Sequence, residues 1–103
     1  MAFKLKPNPT FTAPVQLSQA GRDELVTIPF DFLYLSRSAY KEQVEDAKLK
    51  VIDAVRLVVR GWQLEDDPWT PERFEEFLDD FPIADQEIWT AYTREMSVSK
   101  RKN

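Results

Sequence analysis

The segment WTPERFEEFLDDFP, residues 69–82, carries the signals of a helix at both of its ends. Thr70 has the side chain of an N-cap, Pro71 suits the first helical position, and Glu72 lies where the helix dipole favours a negative charge. Pro82 restricts the backbone of the residue before it and cannot continue a helix. The segment therefore predicts a short helix with well-defined limits.

This helix has an aromatic inner face and an acidic outer face. Trp69 and Phe74 have the spacing of a hydrophobic staple across the start of the helix. Arg73 is the only base among the eight acids of residues 65–80. Those acids alternate with core positions, which is typical of a solvated helix face. The inner face consists of Phe74, Phe77, Leu78 and Phe81.

Apolar periodicity predicts two further helices. A long one is expected over residues 38–60, with Ser38 as its N-cap and Gly61 as its stop. Its apolar stripe, with three- and four-residue spacing, consists of Tyr40, Val44, Ala47, Val51, Val55, Val58 and Trp62. A third helix is expected over about residues 83–97, with one side formed by Ala84, Ile88, Tyr92 and Met96 and with Trp89 beside them.

The region before the helices has a strand pattern. Apolar and polar residues alternate through residues 10–17 and again through residues 25–35, with turn residues between them. Proline cannot donate to a strand ladder, so Pro14 and Pro29 are expected at edges or bulges. The fold class is therefore α+β, an N-terminal β-hairpin followed by three α-helices.

One domain of 103 residues accounts for the whole chain. Its expected parts are an extended arm at residues 1–9, a β-hairpin at 10–36, a helical part at 38–98 and a frayed tail at 99–103.

The composition makes most enzyme chemistry unavailable. The chain contains no histidine and no cysteine, and its net charge is −4. Disulfides, thiol nucleophiles, the usual zinc sites and histidine-based catalysis are therefore excluded. The carboxylates match no calcium-loop spacing. We expect a protein that is not an enzyme, with no catalytic residue, no metal and no cofactor.

Charge and hydropathy also limit which partners and which cellular location can be expected. A negative net charge disfavours binding to nucleic acid phosphates. No stretch approaches the roughly 18 apolar residues of a membrane-spanning helix, and the N-terminus lacks the apolar core of a secretory signal. We expect a cytosolic protein that binds neither nucleic acid nor membranes.

The aromatic side chains have two interpretations: most are expected in the core of so small a domain, and some are candidates for partner contact. Three tryptophans exceed what a core of this size usually holds, and tryptophan is enriched among interface anchors. The candidate partner-binding residues are Trp62, Trp69, Phe74, Phe77, Phe81 and Tyr92. Edge strands and a helix with a wide apolar face favour self-association. We therefore expect a homo-oligomer, with contributions from the hairpin and from Val51, Val55 and Val58.

A different function remains open on the same residues. Closely spaced carboxylates can imitate the phosphates of DNA and occupy a basic groove. The alternative is therefore a small acidic inhibitor or regulator that binds a basic host protein, with DNA mimicry as one form of it.

The C-terminal two thirds resemble the tail assembly chaperones of long-tailed bacteriophages. The resemblance covers about residues 38–103 and extends less securely to the strands before them. It is carried by Gly61-Trp62, an acidic loop, Trp69-Thr70-Pro71-Glu72, the aromatic and leucine positions from Phe74 to Leu78, Phe81-Pro82, Ile88, Ala91-Tyr92 and the closing Lys102-Asn103.

The resemblance implies a non-enzymatic factor of virion morphogenesis in the host cytoplasm that is absent from the mature virion. Proteins of this family bind the long, helical, aggregation-prone tape measure protein. They keep it competent until tail tube protein polymerises around it, so both proteins are implied partners. In many phages a programmed frameshift also yields a longer fusion product.

Overall fold

The structure is a computed structural model that describes residues 8–101, with side chains described as far as residue 97. Most of the predicted N-terminal arm and most of the predicted frayed tail lie outside the described residues or side chains. The elements in chain order are β1 (Thr10–Leu17), β2 (Val26–Leu33), α1 (Arg37–Tyr40), a π-helical segment (Lys41–Asp46), α2 (Val51–Val58), β3 (Val59–Trp62), α3 (Pro71–Asp80) and α4 (Ala84–Arg101).

The predicted hairpin is confirmed. β1 and β2 pair antiparallel from Thr10 opposite Leu33 to Leu17 opposite Val26. The face predicted to be apolar is the one that is buried, since Ala13 and its alternating neighbours lie in the core while the intervening residues are exposed. The period-2 pattern therefore predicted correctly which face of the strands is buried.

The two prolines of the hairpin lie directly opposite each other. Pro14 pairs with Pro29, and because neither has an N–H this pair cannot exchange ladder hydrogen bonds. Pro14 lies in an edge strand, as predicted. The prediction for Pro29 is wrong, because Pro29 lies in the central strand of the sheet. Its oxygen accepts from the N–H of Gln63, just after β3, at 2.9 Å, an interaction that needs no N–H of the proline.

The predicted long helix over residues 38–60 is wrong, because the chain leaves the helical path at Ala47–Lys50. Lys48 has a left-handed backbone with φ of 54°. Its N–H donates to the oxygen of Glu45 and the N–H of Leu49 donates to the oxygen of Val44, both at 3.1 Å. This is the double hydrogen-bond pattern of a Schellman cap, with lysine where glycine is usual.

The predicted ends of that helix also differ from those observed. The Oγ of Ser36, and not Ser38, accepts the capping hydrogen bond, from the N–H of Ala39 at 3.2 Å. The predicted continuous stripe is divided by the break, so that Ala47 and Val51 are exposed while Val44 and Val55 are buried.

The last residues of the predicted long helix form a strand instead. β3 joins the open side of β2 and completes a three-stranded antiparallel sheet in the order β1-β2-β3. Gly61 lies within this strand, so its predicted role as a helix stop is wrong. A Cβ atom at Gly61 would lie 3.0 Å from Oδ2 of Asp31, the residue opposite in β2. A side chain at Gly61 would therefore require the Asp31 carboxylate to shift by a few tenths of an ångström, which favours glycine at this position.

The last two helices follow the prediction closely. The Oγ1 of Thr70 accepts from the N–H of Arg73 at 3.0 Å, and Pro71 opens α3. α3 ends at Asp80, with Phe81 as its C-cap directly before Pro82, as predicted. α4 packs along β1, and its inner face includes the fully buried Ile88 and Tyr92.

The architecture is α+β, as predicted, but with more elements. Within the described residues the sheet has three strands instead of the two of a hairpin, and four α-helices are present instead of three. Both differences arise from the same error, since the predicted long helix divides into α1, α2 and β3.

Candidate protein-binding surface

The acidic loop between β3 and α3 is held by two side chains, those of Trp62 at the end of β3 and Arg73 in the first turn of α3. The indole Nε1 of Trp62 donates to the backbone oxygen of Asp67 at 2.6 Å. The guanidinium of Arg73 binds both carboxylate oxygens of Asp67, with Nε–Oδ1 at 3.0 Å and Nη2–Oδ2 at 2.9 Å. The hydrogen bond to Asp67 is the main reason that the pKa of Arg73 is raised. The guanidinium of Arg73 is thus bound by the carboxylate of Asp67 in the loop.

Beneath the loop, aromatic rings attach α3 to the sheet. The ring of Trp62 contacts Phe74, Phe77 and Phe30 edge-on, with centroid distances of 6.1, 5.4 and 5.8 Å. Such T-shaped pairs contribute about 0.5–1.5 kcal/mol each beyond the area they bury. Trp62, Phe74 and Phe77 are all buried.

Tyr92, a fourth predicted partner-binding residue, is also internal. Its side chain is 0% exposed, and its hydroxyl donates to the backbone oxygen of Leu33 at 3.0 Å. Burial raises the pKa of Tyr92 to about 12. Four of the six predicted partner-binding side chains therefore lie inside the protomer, where they hold α3 and α4 against the sheet.

The remaining two predicted residues reach the surface at opposite ends of α3. Trp69 is half-buried, with its ring 6.0 Å from that of Phe74, as the predicted staple requires. Its indole N–H is buried and has no hydrogen-bond partner within the described part of the chain. Phe81 is 37% exposed and leans on Phe77 at a centroid distance of 5.1 Å.

Phe81 belongs to a small exposed apolar projection that the sequence pattern does not predict. Pro82 follows it and is exposed, and the side chain of Ile83 is 53% exposed. We name residues Asp79, Asp80, Phe81, Pro82 and Ile83 the α3 tip. Nothing in the sequence predicts that Ile83 is exposed, because the residue suits the start of the next helix.

Acidic side chains cover the outer face of α3. Glu75 is bound by Arg56 of α2 through two contacts of 2.9 Å, and Glu76 lies 3.8 Å from Arg73. The three acids of α3 that form no ion pair in the described part of the chain are Glu72, Asp79 and Asp80.

The predicted self-association residues are divided between core and surface. Val55 and Val58 are fully buried within the protomer, whereas Val51 is exposed at the start of α2. Of these three side chains, Val51 is the one that another subunit can reach in this fold.

The two pockets described below do not bring acids together. One open pocket of about 290 Å³ lies between β1 and the end of α4 and is lined by Asn8, Thr10, Phe11, Thr12, Tyr34, Glu95 and Met96. A second, of about 230 Å³, is lined by Gln16, Leu25, Glu87, Thr90, Ala91 and Arg94. Each contains a single carboxylate, so neither holds the pair that carboxylate acid–base catalysis uses.

Two further properties concern only the residues that the structure describes. No group of three or more acidic side chains is placed to hold a metal ion. No helix there is both long enough and apolar enough to cross a membrane.

A family model described as "Phage tail assembly chaperone" matches residues 1–103. No curated protein and no solved structure gives a significant match. The family match covers the strand region as well as the C-terminal part that carries the resemblance noted in the sequence.

Proposed function

This chain belongs to the phage tail assembly chaperone family, and we propose from this premise that it binds the tape measure protein of its phage. Binding keeps the client soluble until tail tube protein polymerises around it. The observation that carries the proposal is the family match, which spans the full 103 residues.

The surface of the protomer suits such a role. A holding chaperone needs apolar area to contact its client and charge to keep itself dispersed. Trp69 and the α3 tip offer apolar area at the two ends of α3, and acids cover the helix face between them. Trp62, Phe74, Phe77 and Tyr92 act indirectly in this proposal, because they hold α3 in place.

The location and the non-enzymatic role in the proposal follow from the family, and the self-association follows from the exposed edge strand and Val51. The protein acts in the host cytoplasm as a non-enzymatic factor and is absent from the finished virion. It forms a homo-oligomer in which Val51 and the edge strand β1 supply contacts, while Val55 and Val58 support α2 from within.

Co-expression with the tape measure protein encoded by the same phage tests the proposal. We expect the client to move from the insoluble to the soluble fraction and to copurify with the chain. Replacing Trp69 and Phe81 by serine should remove most of this effect, whereas the matched pair Thr12→Ser and Thr90→Ser should retain it. A client that stays insoluble with the wild-type chain, or is equally soluble without it, would contradict the proposal.

The acidic-regulator alternative is favoured by one observation: the exposed carboxylates of Glu72, Asp79 and Asp80 form no ion pair with any residue that the structure describes. A regulator that imitates DNA through many charge contacts loses affinity steeply as salt screens them. Retention of a host nucleic-acid-binding protein at low salt and its release at high salt would support this alternative over the chaperone.

A further inference from the structure

We propose that the α3 tip docks a cationic amphipathic helix of the partner, with apolar side chains against Phe81 and Ile83 and a lysine or arginine against Asp79 and Asp80. The inference rests on the proposed function and deepens it, since it names the chemistry of the segment that the chaperone contacts. It also assigns the contact to one end of one helix.

The apolar part of the tip is exposed for a local reason. Pro82 cannot continue α3, and the chain must reverse between α3 and α4 within the residues Phe81–Ile83. The ring of Phe81 contacts the ring of Phe77, whereas the side chain of Ile83 is 53% exposed. Two neighbouring, large apolar side chains thereby lie on a short connection between two helices. A hydrogen bond of 2.9 Å from the N–H of Ala84 to the oxygen of Phe81 closes this connection, which limits the ordering cost of binding.

The charged part of the tip is electrostatically unfavourable in the free protein. Asp79 and Asp80 lie in the last turn of α3, which contains no base. The C-terminus of a helix carries a partial negative charge and favours cations. Two carboxylates at this position therefore raise the energy of the unbound protomer, and a cationic partner would relieve that repulsion.

Among the side chains that the structure describes, none compensates these carboxylates fully. Arg73 feels the charge of Asp80, but its guanidinium contacts Asp67. The positive end of α4 lies close in sequence, but its first turn already contains the carboxylates of Asp85 and Glu87. The tip therefore keeps an excess of negative charge beside its apolar surface.

A helix with both lysines and apolar residues matches this arrangement. Side chains three or four positions apart lie on the same side of a helix, so one face can present an apolar residue and a cation together. An acidic or uncharged segment would add repulsion or leave the carboxylates of the tip without partners. Nucleic acid is excluded as the occupant by its own negative charge.

Binding of the phage's tape measure protein to purified chaperone variants tests the inference. The variant Asp79→Asn/Asp80→Asn removes the charges of the tip. Its matched control, Glu65→Gln/Asp66→Asn, removes two charges from the acidic loop, about 15 Å away along α3 at 1.5 Å per residue. We expect about fivefold weaker binding for the tip variant, from two exposed charge contacts, and a change of less than about twofold for the control.

An apolar pair of variants completes the design. Ile83→Ser removes the exposed side chain of the tip, and Leu25→Ser removes a side chain of equal exposure, 53%, from the hairpin turn. We expect about tenfold weaker binding for Ile83→Ser, which is typical of a buried interface residue, and little change for Leu25→Ser.

Thermal unfolding separates loss of contact from loss of fold. Neutralising Asp79 and Asp80 should raise the melting temperature of the free chaperone while it weakens binding, because the same charges repel the end of α3. The inference would be overturned if the tip and control variants weakened binding equally. It would also be overturned if Asp79→Asn/Asp80→Asn lowered the melting temperature. Wild-type chain that fails to bind the client would instead contradict the proposed function.

Discussion

Trp62 and Asp67 are joined by a 2.6 Å hydrogen bond from the indole Nε1 to the backbone oxygen, which closes the acidic loop onto the aromatic cluster. The bond explains why a tryptophan lies at this position of a buried cluster. Its ring fills the space between β2 and α3, and its N–H fixes the loop that leads into the cap of α3.

The first prediction concerns that hydrogen bond. Trp62→Phe should lower the free energy of unfolding by about 1–3 kcal/mol, because a partly buried hydrogen bond is lost and the Asp67 oxygen that accepts it loses this donor. Urea titration followed by circular dichroism measures the change. Trp69→Phe is the matched control, since the N–H of Trp69 has no partner to lose within the described residues. A larger loss at Trp69 than at Trp62 would contradict the assignment.

The second prediction concerns Tyr92 and alkaline pH. Burial raises its pKa to about 12 from 10.0, so the unfolded chain loses this proton first as pH rises. The stabilising contribution is complete below pH 10 and is lost as the pH rises toward 12, on the order of 2 kcal/mol. Unfolding free energies of wild type and Tyr92→Phe across this range should therefore converge. Parallel curves would show that Tyr92 does not cause the loss.

The third prediction concerns the contact between Gly61 and Asp31. A methyl group at Gly61 would lie 3.0 Å from the carboxylate of Asp31, which also accepts from Thr12 and Gln63. Gly61→Ala should destabilise the fold by about 1–3 kcal/mol through overpacking. In the Asp31→Ala background the same substitution should cost less, and a double-mutant cycle measures the difference. Additive effects would exclude the steric explanation.

The fourth prediction concerns the left-handed residue at the helix break. Lys48 has φ of 54°, a conformation that costs a non-glycine residue about 1–2 kcal/mol. Lys48→Gly should stabilise the fold by about 0.5–1 kcal/mol after the added chain entropy of glycine is subtracted. Lys50→Gly, at a position with φ of −70°, should give no gain. A loss of stability at Lys48→Gly would mean that the break is not formed as described.

The elements that could be predicted from the sequence are those with local causes. Thr70, Pro71 and Pro82 act within a few residues of themselves, and the limits of α3 follow from them. The strand faces of β1 and β2 follow from an alternation that is visible over eight residues each.

The break after the π-helical segment could not be predicted from the sequence, for two reasons. Val44, Ala47 and Val51 keep helical spacing across the break although two of them are exposed. Lysine at the left-handed position carries no sequence signal, unlike the glycine usual there. β3 was missed for a related reason, since Gly61 is equally consistent with a helix stop and with a close backbone approach.

The division of the aromatics between core and surface depended on tertiary contacts. Trp62 and Trp69 bracket the same loop and have similar sequence surroundings. Trp62 is buried because β3 brings it beneath α3, a placement that required the missed strand. Ile83 was overlooked because its exposure depends on how α3 and α4 meet.

Sedimentation velocity of the chain co-purified with its phage's tape measure protein tests the central claim most directly. We expect a stable complex that persists when salt is raised from about 0.1 M to about 0.5 M, because screening weakens the charge contacts but not the apolar ones. Complete dissociation at the higher salt, or no complex at the lower one, would contradict the claim that the chain binds a helical client through apolar contacts.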